Sequence, residues 1–440
     1  MNESGLSAIN YSGCAKLTYA YGEHEFVFEG TFEIRQLETG RMEIRFVVVP
    51  PTSGFRFSFY RARDFNISFR GRDTDGWNLE SSGKFLSVPP PFMLMKGRRD
   101  FELYPLHLEA RLDDTAECEF DQAQFLISTL LWHEHDSQEP EPFEFEVRGF
   151  RVSVSPVADY LTVASRIMNG GGAEPTAYAL VKSLDGKELS LQSYADFMND
   201  LVYVFRLAFG AGVEWYYGEA FETYLETPKE RVHKFAMHGP FSNVSRTLVP
   251  KPDFSELSQA FFDDKERVID WEVAKELINA FVGACDDSLP LELRGLLASA
   301  LTDSQVAQYL KKRKIGDVIP KEEYDKTVFP ILKNAINEVE LCKEWKQQVL
   351  NSLQGAYRRS FRQCLKLSNE GLDLGLNAKK RSRVVSIRNE LVHRVTYPSQ
   401  FEKWSNDYHL LIWINFVFLC RLMGYRGEMP LLRQDWELEK

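Results

Sequence analysis

Near residue 250 the period of the hydrophobic pattern changes, and this change constrains the fold more than any other feature of the chain. Before it, apolar residues alternate or cluster in short runs rich in β-branched and aromatic side chains. The runs are MEIRFVVVPP, FRFSFYRA, FNISFRG and FEFEVRGFRVSVSP, punctuated by Gly, Pro, Asn and Asp. A strand sends successive side chains to opposite faces, so such alternation is what a half-buried strand requires. In FEFEV, Phe143, Phe145 and Val147 share one face while Glu144 and Glu146 share the other. One helix interrupts the β pattern, SYADFMNDLVYVFRLAFG. There Tyr194, Phe197, Met198, Leu201, Phe205 and Ala208 recur at helical spacing and Gly210 stands where a helix would end. Strand-like sequence resumes in VEWYYGEAFETYLE and VHKFAMHG.

VSRTLVPKPDFSE (244–256) is polar and proline-bearing, as a linker would be. Beyond it a helical period takes over in WEVAKELINAFVGAC, LELRGLLASAL, EEYDKTVFPILKNAINEVE, the long EWKQQVLNSLQGAYRRSFRQCLKL and two closing segments. The expectation is an α+β chain: a β-rich N-terminal domain over 1–250, a helical connector over 256–318 and a helical domain over 319–440 that ends in a bundle. The most apolar late stretch, LLIWINFVFLC (410–420), falls well short of the roughly 20 residues that span a bilayer, so it reads as a buried core helix.

The 440 residues carry a formal net charge of -11, against the basic footprint of a general nucleic-acid or membrane-surface binder, although a local basic site remains compatible with it. Hydrophobic content of 44% is ample for real cores. The cysteines are scattered without a C-x-x-C pair, which disfavours a zinc ribbon or disulfide framework and fits reduced thiols. MNESGLSAIN has neither a basic segment nor an apolar run, so no secretory signal is expected and a cytoplasmic location follows.

Several stretches invite a chemical reading. LLWHEHDSQEPEPFEFE sets His133, His135 and Asp136 together; histidines at i and i+2 of a strand share a face and could bind a metal, but the prolines favour an exposed acidic loop. DTDGW (73–77) lacks the later ligands of a calcium loop and reads as a turn. NGGGAEP (169–175) has glycines but no Gly-Lys-Ser/Thr, so a phosphate loop is not expected. No G-x-S-x-G and no credible Cys/His pair is present.

NAKKRSRVVSIRNELVHR (377–394) is different. On a helix with Asn377 as N-cap, Val384, Val385, Ile387, Leu391 and Val392 form one apolar stripe. Arg388 falls inside that stripe, whereas Asn389 and His393, at i and i+4, share the adjoining polar side. An arginine there is costly unless something pairs with it. It requires a buried carboxylate, or a stripe that faces a cleft or a second subunit. Lys379, Lys380, Arg381, Arg383 and Arg394 surround it with only Glu390 opposed, which makes a local anion-attracting patch and candidate RNA contacts.

Arg388-Asn389-x-x-x-His393, late in a helical region, resembles the R-x(4–6)-H signature of the HEPN superfamily, in which Asn, Asp or His often follows the arginine. YRRSFRQCLKL followed by VVSIRNELVH, with HLLIWINFVFLCRLMG as closing helix, is similar in particular to the Apea-like HEPN family of bacterial abortive-infection proteins. The likeness spans residues 320–425. LSLQSYADFMNDLVYVFRLAFG looks, more loosely, like the N-terminal domain that accompanies this HEPN type. A second spacing match, Arg231 to His238, has Val232 after the arginine and lies in strand-like sequence, so it is set aside.

The resemblance implies a HEPN-like bundle and an endoribonuclease of anti-phage abortive infection that cuts RNA, tRNA included, with neither metal nor cofactor. The 2′-hydroxyl attacks the adjacent phosphate and leaves a 2′,3′-cyclic end. His393 would move the proton, since an imidazole pKa of about 6.5 suits either role. Arg388 would hold charge on the phosphoryl oxygens, and Asn389 would orient His393 or the substrate. At about 140° apart on a straight helix, Arg388 and His393 do not point together. Either the helix distorts near His393, or two chains build the site, as in HEPN dimers. A homodimer or higher even homo-oligomer is therefore expected, with an N-terminal domain that senses a phage-derived trigger or gates the nuclease, and no membrane partner. The alternatives are a non-catalytic HEPN dimerisation and binding module and, less favoured, a metalloenzyme built on His133 and His135.

Overall fold

Alternating sequence becomes strand throughout the N-terminal half, and helical period becomes helix beyond it. The computed structural model describes residues 10–21, 24–36, 42–48, 66–82, 85–87, 100–112, 119–130, 140–168, 174–221, 228–234, 254–263, 265–394 and 401–429. The chain divides into two compact units, Met1–Ser258 and Gln259–Lys440.

The strands of the first unit are β1 (Asn10–Tyr21), β2 (His24–Gln36), β3 (Met42–Val48), β4 (Asn66–Asp73), β5 (Asn78–Ser82), β6 (Phe85–Ser87) and β7 (Asp100–Pro105). They continue as β8 (His107–Arg111), β9 (Gln122–Ser128), β10 (Phe143–Val147), β11 (Phe150–Pro156), β12 (Pro175–Ser183), β13 (Glu214–Phe221) and β14 (Glu230–Lys234). Every pairing is antiparallel, in one 14-stranded sheet of order β10-β11-β12-β9-β13-β14-β8-β5-β4-β1-β2-β3-β7-β6. The segment 55–62, which also reads as strand, lies outside the described residues.

The sheet rolls upon itself. β3 and β4 stand three strand spacings apart, about 14 Å in a flat sheet. Yet the Phe46 and Phe69 rings lie 6.3 Å apart across the concave face, where Tyr19, Phe32, Ile44 and Phe101 are also buried. Gly71 makes room for this packing: a Cβ there would come within 2.8 Å of the Phe32 ring.

At the other end of the sheet, helix covers strand. Between α1 (Tyr160–Met168) and α2 (Leu191–Phe209), only α2 was evident from spacing. Ser190 caps α2 by accepting a hydrogen bond from Ser193 N, and Gly210 ends it at φ 60°, a left-handed turn suited to glycine. Phe197 of α2 stacks on Phe150 of β11 at 4.4 Å, and Phe205 packs against Phe145 of β10. The alternation in β10 is as its sequence implies: Phe145 and Val147 are buried and Glu144 and Glu146 exposed.

The helices that follow are α3 (Phe254–Phe262), α4 (Trp271–Ala284), α5 (Leu291–Arg313), α6 (Phe329–Glu338), α7 (Lys343–Leu353), α8 (Phe361–Leu372), α9 (Ala378–Arg394) and α10 (Phe401–Leu422). In the second unit α5 is the hub, packing against α4, α8, α9 and α10. The described part of α10 is apolar on nearly all sides, and Leu411, Ile414, Phe416, Phe418 and Leu419 are fully enclosed. A small polar network fixes its register: Thr302 Oγ1 bonds Asn415 Oδ1 at 3.0 Å, and Asn415 Nδ2 donates to Ala298 O at 2.8 Å. Gly371 lets α8 approach α5, since a Cβ there would fall 1.8 Å from the Tyr309 hydroxyl.

EWKQQVLNSLQGAYRRSFRQCLKL reads as one long helix but forms two, α7 and α8. The amphipathic period carries across the break, yet two local signals override it. Gly355 lies in the intervening turn, and Ser360 with Gln363 forms a reciprocal capping box that starts α8 afresh. The turn is anchored by Tyr357, which is buried and whose carbonyl accepts from Val318 N at 2.7 Å. Ahead of α6 the backbone makes a π turn over Tyr324–Val328. Pro330, which has no N–H to continue the ordinary ladder, lies just beyond it.

Candidate functional site

α9 begins where its cap predicts. Asn377 Oδ1 accepts from Lys380 N at 2.8 Å, and its carbonyl accepts from Arg381 N at 3.0 Å. Val384, Ile387 and Leu391 form the buried stripe. Two arginines on this helix find carboxylates on its neighbours.

Arg383 makes a two-pronged bond to Asp407 of α10, with Nε on Oδ1 at 2.6 Å and Nη2 on Oδ2. The pair is nearly sealed, at 18% and 9% side-chain exposure. Burial raises the Asp407 carboxyl above its usual pKa by more than the facing guanidinium lowers it.

Arg388 bonds Asp303 of α5, its Nε and Nη2 both reaching Oδ2 at 3.2 Å. Its Nη1 donates to Asn389 Oδ1 at 3.2 Å, and its guanidinium carbon sits 5.4 Å from the Phe361 ring at the start of α8. This pair is half-open, at 27% and 35% exposure. The arginine in that stripe does meet a carboxylate, a half-exposed one where a buried one was expected. Asp303 Oδ1 is buried and receives no hydrogen bond from any described residue. A guanidinium has five N–H donors. Three are engaged here, which leaves one N–H on Nη1 and one on Nη2 outside these bonds.

The structure thus brings Arg388 and Asn389 together and adds Asp303 and Phe361. Asp303 had a trace in the sequence, as the only acid between Glu292 and Asp317. Phe361 had none beyond its place in an amphipathic run. His393 and Arg394 lie in the last turn of α9, one turn beyond Asn389, and the side chains of residues 392–394 lie outside the described part. The backbone is helical over Ala378–Arg394.

The neighbouring cations have varied placements. Lys379 is exposed. Lys380 lies 5.2 Å from the Trp413 ring, and Arg381 Nη1 donates to Leu376 O at 2.6 Å, bracing the loop before α9. Arg383 is committed to Asp407 as described.

The first unit holds a separate polar cluster on its concave face. Tyr11 OH lies 3.3 Å from His233 Nε2, and Arg231 stacks on Trp77 at 4.3 Å with Nε 3.9 Å from Glu219. Burial lowers the His233 pKa to about 3, so this imidazole stays neutral. Arg231 is therefore a strand residue built into the β unit; His238 lies outside the described residues. Asp73 Oδ1 accepts from Asp75 N and Trp77 N, so DTDGW is the turn joining β4 to β5. His133, His135, Asp136 and 169–173 lie outside the described residues. Among the described residues no cluster of three or more His, Cys, Asp or Glu side chains could hold a metal, and no helix is long and apolar enough to cross a membrane.

Comparison of the chain with protein-family models, with curated proteins and with solved structures returned no match.

Proposed function

We propose that the helical unit is a metal-independent endoribonuclease of anti-phage abortive infection whose site is shared between two copies of α9. The observation that carries this reading is the held, half-open guanidinium of Arg388, with Asn389 beside it and His393 one turn further along the same helix. Asp303 and Phe361 fix the guanidinium plane, and the unused N–H edge is where non-bridging phosphoryl oxygens would bind. The substrate 2′-oxygen attacks phosphorus and gives up its proton to a base. The bond from phosphorus to the 5′-oxygen breaks, the 5′-hydroxyl takes a proton from an acid, and a 2′,3′-cyclic phosphate remains. His393 serves as that base or acid, and Asn389 orients it or the substrate. Because positions 388 and 393 stand about 140° apart on a regular helix, the histidine that works with one Arg388 comes from the second copy. The N-terminal unit restrains this activity until a phage-derived signal arrives, since an ungated ribonuclease would harm its own cell.

A second reading is favoured by the ion pair itself. An arginine that only ties α9 to α5 would also sit on Asp303, and the unit would then be a non-catalytic dimerisation and binding platform. Purified wild type, Arg388→Ala and His393→Ala, each incubated with total RNA or tRNA in EDTA, separate the two. The nuclease reading expects cleavage by wild type and its loss in both variants. Equal cleavage in all three, or cleavage abolished by EDTA, contradicts it.

A further inference from the structure

The hairpin of α6 and α7 buries no residue. Its apolar side chains stand in solvent instead: Ile331 is 66% exposed, Trp345 63% and Val339 50%, with Leu341 and Val349 exposed beside them. Helices of 10 and 11 residues are marginal alone in water, because short helices depend on packing an apolar face. Several large apolar side chains left exposed on one hairpin of a folded unit mark a place of association.

The foot of the hairpin is fixed to the unit. Tyr324 is buried, donates its hydroxyl to Leu353 O at 2.6 Å, and packs beside Tyr357 at 5.6 Å. The surface is therefore presented from a built base.

Charge decides what covers it. Residues 329–353 contain Lys333, Lys343 and Lys346 against Glu338, Glu340 and Glu344, a net charge of zero on a chain of net -11. RNA or an anionic membrane would need a basic face. Two copies of an acidic chain repel each other over most of their surface but not over this neutral hairpin. Position adds to this. From α7 the chain passes through 354–360 directly into α8, whose first residue, Phe361, lies under Arg388.

We infer that the α6–α7 hairpin docks against the same hairpin of a second copy of this chain, burying Ile331 and Trp345 in a four-helix contact, and that this contact brings the two α9 helices into one site. The second half of that statement rests on the nuclease reading; the docking does not.

The test is the solution mass of the full chain by light scattering at micromolar concentration, with RNA cleavage scored separately. Wild type should have an even-numbered mass, and the double variant Ile331→Glu/Trp345→Glu should halve it while helical circular dichroism is unchanged. The milder Ile331→Ser/Trp345→Ser pair guards against misfolding and should weaken association in the same direction. A wild-type monomer, or a mass that neither pair changes, overturns the docking. Halving of the mass in a protein that never cuts RNA leaves the docking standing and removes the nuclease reading. Cleavage by a monomeric wild type overturns both the docking and the two-chain site.

Discussion

Two Arg–Asp pairs, five residues apart on one helix, do different work. Arg383 and Asp407 are nearly sealed and two-pronged, and every sign is that they clamp α9 to α10. Arg388 and Asp303 are longer, half-open and single-oxygen, and they leave donors unused. The same pair of residue types is thus a sealed clamp where solvent is excluded and a longer, half-open contact where it is not. The separation rests on geometry and burial and holds whether or not RNA is the ligand.

The largest effect expected from that contrast is on cleavage. His393→Ala and Arg388→Ala should each lower the rate on RNA in EDTA by about 100- to 1,000-fold, the usual worth of a positioned proton carrier or a charge-stabilising donor. Single-turnover rates at equal protein concentration would read it. Arg383→Ala should instead act on the fold. Removing one partner strands Asp407 in a buried site, which costs about 3–5 kcal/mol and would appear as a lowered urea midpoint. Arg388→Ala at its half-open site should cost only about 0.5–1 kcal/mol in the same experiment, because solvent screens the pair. Comparable destabilisation by both variants would erase the distinction.

The smallest effect concerns pH. Burial holds the folded Asp407 pKa above its ordinary value, so the folded state binds this proton more tightly than the unfolded state. The resulting stabilisation is complete below the ordinary carboxylate pKa and is lost as pH rises through the folded one. Relative to Asp407→Asn, wild type should therefore gain stability as pH falls through that window. A relative loss would mean that Arg383 dominates the site.

Much of the α9 region was legible beforehand, because its signals are local. The Asn377 cap, the Val384–Ile387–Leu391 stripe and the demand of Arg388 for a partner all follow from helical spacing. The identity of that partner did not, since Asp303 lies 85 residues away and periodicity cannot choose among distant carboxylates. The same limit applies to the sheet. Individual strands such as β3 and β10 announce themselves by alternation, but nothing local places β14 between β13 and β8 or rolls Phe46 onto Phe69. The break between α7 and α8 was visible in Gly355 and the Ser360–Gln363 box, yet a continuous amphipathic period masked it. The exposed hairpin belongs with these. Its apolar residues look like core in the sequence, and only the fold shows that they are not.

The central claim is that one site needs Arg388 from one chain and His393 from the other. Mixing the two inactive variants tests it most directly. Arg388→Ala and His393→Ala are unfolded and refolded together, then assayed on RNA in EDTA. In random pairing half the dimers are mixed and each keeps one intact site, so activity should return to about a quarter of wild type. Activity no greater than that of the separate variants, in a sample shown to contain mixed dimers, would contradict the account.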